Sequence, residues 1–350
     1  GMVKSMTSMT LTTIMTKSPK PHIFEPTLIL LSVMNDYLIQ FALLRERAFH
    51  EPNNRDLFRQ LLICTELAGN HAECRDLYAD VLDEHPYCSY AWYNLGWACA
   101  QLDEPEEALE AFEYAYITQP YFEDAYRACA ELAVKRGLHQ RALQCYTEMG
   151  EYAVADSDVL VRMAECLLLL GETGRAKKLC RKALKLDGEN AEACFHLGAC
   201  FMAESDYFQA ARFLRRAIRL DSRRDDAHTL LALAYSHLGK PKQTLDHLWK
   251  AVELAPDESP GWLRLAEFLL FAGEVEEAAE VLEQALENAS SVELLYCCAA
   301  CQFLCGQRIL AVQTLRQALA ADVSRQSDIF RWAPALRDDA EVLRLLGGNH

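Results

Sequence analysis

Positive charge is scarce in this chain. Its 350 residues carry 35 Lys and Arg against 51 Asp and Glu, a formal net charge of -16, which disfavours any global attraction to nucleic acid or to an anionic membrane. Long apolar runs are missing too. The stretch TLILLSVM at 27–34 is far too short to span a bilayer, which takes about 20 residues. The leader has Lys4 and the run MTSMTLTTIM but no long apolar core before Pro19 and Pro21, so no secretory signal is expected. A GxxxxGK[ST] nucleotide loop, an HExxH pair and a GxSxG elbow are all absent. The expectation is a non-enzyme without a cofactor.

About half of the residues are apolar and a quarter charged, enough for a large core in an ordinary soluble protein. The 14 cysteines form no small disulfide scaffold and sit among Leu and Ala on apparent helices, as reduced core residues of a cytoplasmic protein do. The most metal-like group is Cys298, Cys301 and Cys305, spaced i, i+3, i+7 on one helical face. It lies mid-helix with no turn to bring a fourth ligand, so small buried side chains are expected there and no metal. The 10 histidines are scattered without relay partners.

What the chain does have is a period. Steps of 34 residues from Gly96 reach Leu62, Ala130, Ala164, Gly198, Ala232 and Ala266, then Ala299 one residue early. Steps from Ala108 reach Cys74, Ala142, Ala176, Ala210, Thr244 and Ala278, then, again one residue early, Ala311. Large residues keep the same period, with Phe58, Trp92, Tyr126, Leu160 and Trp262 in one slot. Within each period the apolar residues follow helical spacing, as in Trp92, Leu95 and Cys99. Gly69, Gly137, Gly171, Gly239, Gly273 and Gly306 stand where a first helix ends, and Pro52, Pro86, Pro120 and Pro256 where a second one does. One helical hairpin cannot bury its own apolar face, so hairpins must stack.

The segment AWYNLGWACAQLDEPEEALEAFEYAYITQP at 91–120 resembles a near-consensus tetratricopeptide repeat. The implied fold is all-α: a right-handed α-solenoid of about eight helix-turn-helix units over 55–323, starting near 55, 89, 123, 157, 191, 225, 259 and 292. His228 and Cys194 in the large-aromatic slot, Gln302 and Thr65 in the slot of Tyr235, and Thr244 among the alanines depart from the pattern; looser units are expected there. Residues 1–20 read as a disordered leader and 21–54 as capping helices of an incomplete unit, in which Pro26 spoils a first helix over 22–33. Residues 324–350 read as a C-terminal cap, with Asp338 or Asp339 starting its last helix. Gly150 and a missing terminal Pro predict a frayed helix end and a hinge near 150–157.

In such arrays first helices line the concave face, as the resemblance implies. By slot, Tyr90, Tyr93 and Trp97 point into the groove and Trp92 into the core, with Arg59 on one side and Arg127, Glu131 and, further on, Phe195 on the other. Rigid aromatics beside Arg suit a binding hot spot. The expected function is a protein-interaction scaffold holding an extended or helical segment of another protein. The Lys, Asn, Asn, Lys, Arg clamp with which some relatives hold a chaperone carboxylate is not intact: Asn94 matches, but Arg59, Ile63, Asp124 and Ala128 fill its companion slots. A second surface is a basic outer ridge of Arg175, Lys178, Arg181, Lys182 and Lys185 with Arg212, Arg215, Arg216 and Arg219. It suits an acidic partner, acidic outer helices of the chain itself, or, less well for want of interleaved aromatics, nucleic acid. Oligomeric state is not legible.

Overall fold

Nineteen α-helices and no strand make up the described residues of the computed structural model, 25–152 and 154–347. The leader expected at 1–20 lies outside them. After α1 (Glu25–His50) the helices come in pairs: α2 (Arg55–Ala68) with α3 (His71–Glu84), α4 (Ser89–Gln101) with α5 (Pro105–Thr118), α6 (Glu123–Lys135) with α7 (His139–Tyr152), α8 (Ser157–Leu169) with α9 (Thr173–Leu186), α10 (Ala191–Ala203) with α11 (Tyr207–Leu220), α12 (Asp225–His237) with α13 (Pro241–Leu254), α14 (Ser259–Ala272) with α15 (Val275–Asn288), and α16 (Val292–Leu304) with α17 (Arg308–Ala321). Short helices α18 (Ile329–Trp332) and α19 (Ala340–Gly347) follow. This is the all-α hairpin solenoid that the period predicts. The chain divides into two compact units, Gly1–Ala153 and Val154–His350.

Both ends of the first helices are written in repeating slots. Asn54, Asp156 and Asn190 each accept a hydrogen bond from the amide three residues on, at 3.1, 2.8 and 2.7 Å, and Cys88 takes the same slot through its sulfur at 3.4 Å. At the far end the chain turns through positive φ. Six glycines do so, and where the sequence offers none Asp103 (φ 60°) and Ser205 (φ 59°) adopt the same conformation in the same slot.

Small slots set how closely paired helices approach. A Cβ on Gly96 would lie 2.8 Å from the Phe112 ring, and one on Gly198 2.7 Å from Leu214 Cγ. The polar intruders are accommodated rather than loosely held: Thr65 and Thr244 are buried and donate to the carbonyls of Leu61 and Lys240 one turn back, at 2.8 and 3.1 Å. Buried Gln302 donates to Glu283 at 3.2 Å but leaves its own Oε1 without a partner. The indoles of Trp92 and Trp262 make one recurring contact, each Nε1 donating to the carbonyl of the proline six residues earlier, Pro86 and Pro256, at 2.8 Å. Trp262 is buried, but Trp92 is only half-buried, stacking on Tyr114 at 4.7 Å, and so is not the full core residue expected.

Two local expectations are corrected. Residues 25–50 form one continuous helix with Pro26 in its first turn, where a missing N–H costs nothing because no carbonyl precedes it in the helix. Helix α7 runs through Gly150 to Tyr152 without fraying there; Met149 beside it is buried, which outweighs the roughly 1 kcal/mol that a helical glycine costs. Past α17 the chain packs Ile329, Trp332, Leu336 and Val342 into the same core as α14–α17. Asp339, not Asp338, caps α19, accepting from Val342 N at 3.1 Å while Arg308 holds its carboxylate at 2.9 Å.

Candidate functional site

The first helices of each compact unit frame a cleft. In the N-terminal unit α2, α4 and α6 bound one of about 370 Å³, lined by Arg59, Tyr90, Tyr93, Asn94, Phe122 and Asp124 among others. Its aromatics are largely committed to each other. Tyr90 packs on Phe58 and Phe122 at 6.2 and 5.4 Å, and Tyr93 on Phe112 and Phe122 at 5.7 and 5.1 Å. Burial, then the nearby Asp124 and Glu131 carboxylates, raise the Tyr93 phenol above its usual range. Asn94 is spent inside the fold, its amide donating to Phe58 O at 2.8 Å and Tyr78 Oη at 2.9 Å. Trp97 is not part of this lining: half-buried, it meets the His71 ring of α3 edge-on at 5.3 Å. One turn beyond Tyr93, the indole is long enough to reach the start of the preceding helix. Arg127 is half-buried and Glu131 exposed on α6, outside the lining.

A larger cavity, about 660 Å³, lies in the C-terminal unit between α12 and α14 with α13 beneath. Its apolar lining includes Leu230, Leu233, Phe268 and Phe271. Phe271 is 91% exposed and Leu233 40%, so both apolar surfaces stand open to water. Around them are the carboxylates of Asp225, Asp226, Glu258 and Glu267 and the guanidinium of Arg264. Arg264 is paired with Glu267 at 3.0 Å, and Asp226 with Arg224 at 2.7 Å. Asp225 and Glu258 form no ion pair among the described residues, which leaves the site with excess negative charge. Phe195, expected on the groove face from its slot, lines it, and Arg224 lies over that ring at 4.3 Å.

Polar links tie successive first helices around this cavity. Glu192 of α10 reaches Arg162 of α8 at 3.6 Å, Arg224 at 3.4 Å and His196 at 3.8 Å. His196, the arginines and their charge hold its carboxyl at about 2, against the opposing effect of burial. At the other end Arg331 joins Glu267 and Glu293, and Trp332 Nε1 donates to Glu267 at 3.3 Å. The C-terminal segment thus fastens one rim of the cavity. Such a frame orients side chains but offers no nucleophile with an adjacent base, and no group of three or more His, Cys, Asp or Glu gathers as a metal site among the described residues. Cys297, Cys298 and Cys301 are buried and Cys305 half-exposed. Burial raises the Cys298 thiol to about 12. No described helix is long and apolar enough to cross a membrane.

The basic residues of the outer ridge lie on the second helices α9 and α11. Arg175, Lys178, Arg181, Lys182, Lys185, Arg212, Arg215 and Arg219 are exposed, and Arg216 is half-buried with a hydrogen bond to Gly188 O at 2.6 Å. Arg175 is neutralised by Glu172 at 2.5 Å.

Sequence patterns of the tetratricopeptide repeat match residues 68–121, 167–234 and 237–293, together just over half of the chain. Among curated proteins, the BBSome complex member BBS4 of Bos taurus is 22% identical over 188 residues, covering 53% of this chain and 36% of its own length. The TPR repeat-containing protein YpiA of Bacillus subtilis is 22% identical over 228 residues, 65% of this chain and 54% of its own. The chain therefore spans about a third to a half of the length of these relatives. Among solved structures, a chain of the APC/C hetero-tetramer Cut9-Hcn1 superposes with a TM-score of 0.52 at 18% identity, over 83% of this chain and 54% of that one.

Proposed function

Because the chain belongs to the tetratricopeptide repeat family, whose fold is generally a non-catalytic scaffold, we propose that it is a cytoplasmic interaction scaffold. It holds a short segment of a partner protein against its first helices. The main contact is the cavity between α12 and α14, and the smaller cleft of Arg59, Tyr90 and Tyr93 is a second. The observation that carries this reading is the exposure of Phe271 and Leu233 beside two unneutralised carboxylates. Apolar side chains held open on a rigid helix frame gain area on binding with little ordering cost. The segment that fits has a large apolar side chain next to Lys or Arg.

The test is selection of random peptides displayed on phage against the wild-type chain, with each enriched peptide measured on a Leu233→Asp, Phe271→Asp variant of equal helicity. Both positions are at the surface, so the variant keeps its core. Enriched peptides pairing an apolar residue with Lys or Arg, and losing at least about tenfold in affinity on the variant, a free-energy change of about 1.4 kcal/mol, support the cavity. Peptides binding both proteins equally refute it.

A further inference from the structure

The cations on α9 and α11 are related by the repeat itself. Lys178 and Arg212 are 34 residues apart, as are Arg181 and Arg215, Lys182 and Arg216, and Lys185 and Arg219, so four of the six basic residues of α9 recur as arginines in the same slots of α11. The pattern stops there. In α13 the four slots hold Asp246, Trp249, Lys250 and Glu253. Apart from Arg216, these side chains of α9 and α11 are exposed and form no ion pair among the described residues, which concentrates positive potential on two ridges of an acidic chain.

One helix of the same chain carries the opposite charge in the same slots. In α15, Glu280, Glu283 and Glu287 stand 102 residues beyond Lys178, Arg181 and Lys185. All three are exposed. Their spacing of i, i+3, i+7 spans about 10 Å along a helix, and the ridge matches it in either direction: as 178, 181 and 185 for a parallel helix, or as 178, 182 and 185 for an antiparallel one. Within one chain α13 comes between α11 and α15 in the array, and no ion pair joins these groups. The complementary helix must come from another molecule.

We propose that the ridge of α9 and α11 docks the acidic outer face of α15 of a second copy of this chain. Two chains of charge -16 repel each other at long range, but at physiological salt that repulsion is screened beyond about 8 Å, and contact-range complementarity decides. Because donor and acceptor faces differ, every copy retains one of each, and association continues with concentration unless symmetry closes it.

The experiment is sedimentation velocity of the full chain across a concentration series. At about 0.1 M salt the wild type is expected to self-associate, and to weaken by an order of magnitude or more at about 1 M, where the screening length falls to about 3 Å. A ridge variant (Lys178→Glu, Arg181→Glu, Lys185→Glu) and a helix variant (Glu280→Lys, Glu287→Lys, leaving Glu283 to accept from buried Gln302), each as helical as the wild type, are expected to be monomeric alone. Each reverses surface charges only, and an equimolar mixture of the two is expected to re-form the complex, both through the unaltered ridge of one on the unaltered α15 of the other and through the two reversed faces. A wild type that stays monomeric at every concentration, association that survives ridge reversal, or a mixture that fails to associate overturns the proposal. So does a wild type that remains monomeric yet retains a labelled single-stranded RNA that the ridge variant releases, since the ridge would then serve a nucleic acid.

Discussion

Asp103 and Ser205 show what the repeat demands of single residues. Both hold the left-handed turn that glycine fills in six other units, and for a residue with a Cβ that conformation costs roughly 1–2 kcal/mol. Asp103 is compensated in part by an ion pair with Arg136; Ser205 has no such partner among the described residues. Ser205→Gly should therefore stabilise the C-terminal unit by about 0.5–1 kcal/mol, the glycine's extra entropy in the unfolded chain having been subtracted. Gly239→Ala, in the same slot, should destabilise it by a similar amount. Urea midpoints of the two variants against wild type check both signs. These positions were hard to read in the sequence because Asp and Ser are common in turns of every kind; only the 34-residue register ties them to the glycine slot.

At the scale of the element, the hairpin of α12 and α13 carries a pair of histidines in its core. His228 Nδ1 lies 2.9 Å from His247 Nδ1, a contact that needs one ring to donate and the other to accept, so the two rings cannot both be charged. Burial, then the charges of His247 and Lys250, push His228 down to about 4, and burial lowers His247 as well. The unfolded chain takes up protons at its ordinary value of about 6.5, so the stabilisation is complete above that pH and is lost as pH falls toward 4. Between pH 6.5 and 5 the loss from His228 should be about 1–2 kcal/mol. Unfolding in urea at pH 7.5, 6 and 5 measures it, and the double variant His228→Leu, His247→Leu should show a flatter dependence. Sequence spacing identified His228 as an intruder in an aromatic slot. It did not reveal His247, because which residue of a second helix faces that slot depends on packing across the hairpin.

For the whole molecule, the period made the helical array legible, since small and large residues recur where no local rule asks for them. The cavity of the C-terminal unit was not legible. Slots tell which side of a helix a residue occupies, whereas a cavity is a gap between helices, left here beside Gly261, Thr244 and the outward-turned Phe271. The hinge expected near 150–157 remains our proposal: Gly150, Glu151, Tyr152 and Val154 are exposed at the boundary of the two compact units. Brief digestion with a broad-specificity protease should cut first within 150–157 and leave two fragments matching those units, as mass spectrometry would read. First cuts inside α9 to α15 would count against it. The repeated indole contact then has a practical consequence. Trp92 and Trp262 each bond a proline carbonyl at the same distance, one in each unit. In a ¹H–¹⁵N spectrum their indole protons become matched reporters, so that melting of one unit can be watched, resonance by resonance, against the other as an internal reference.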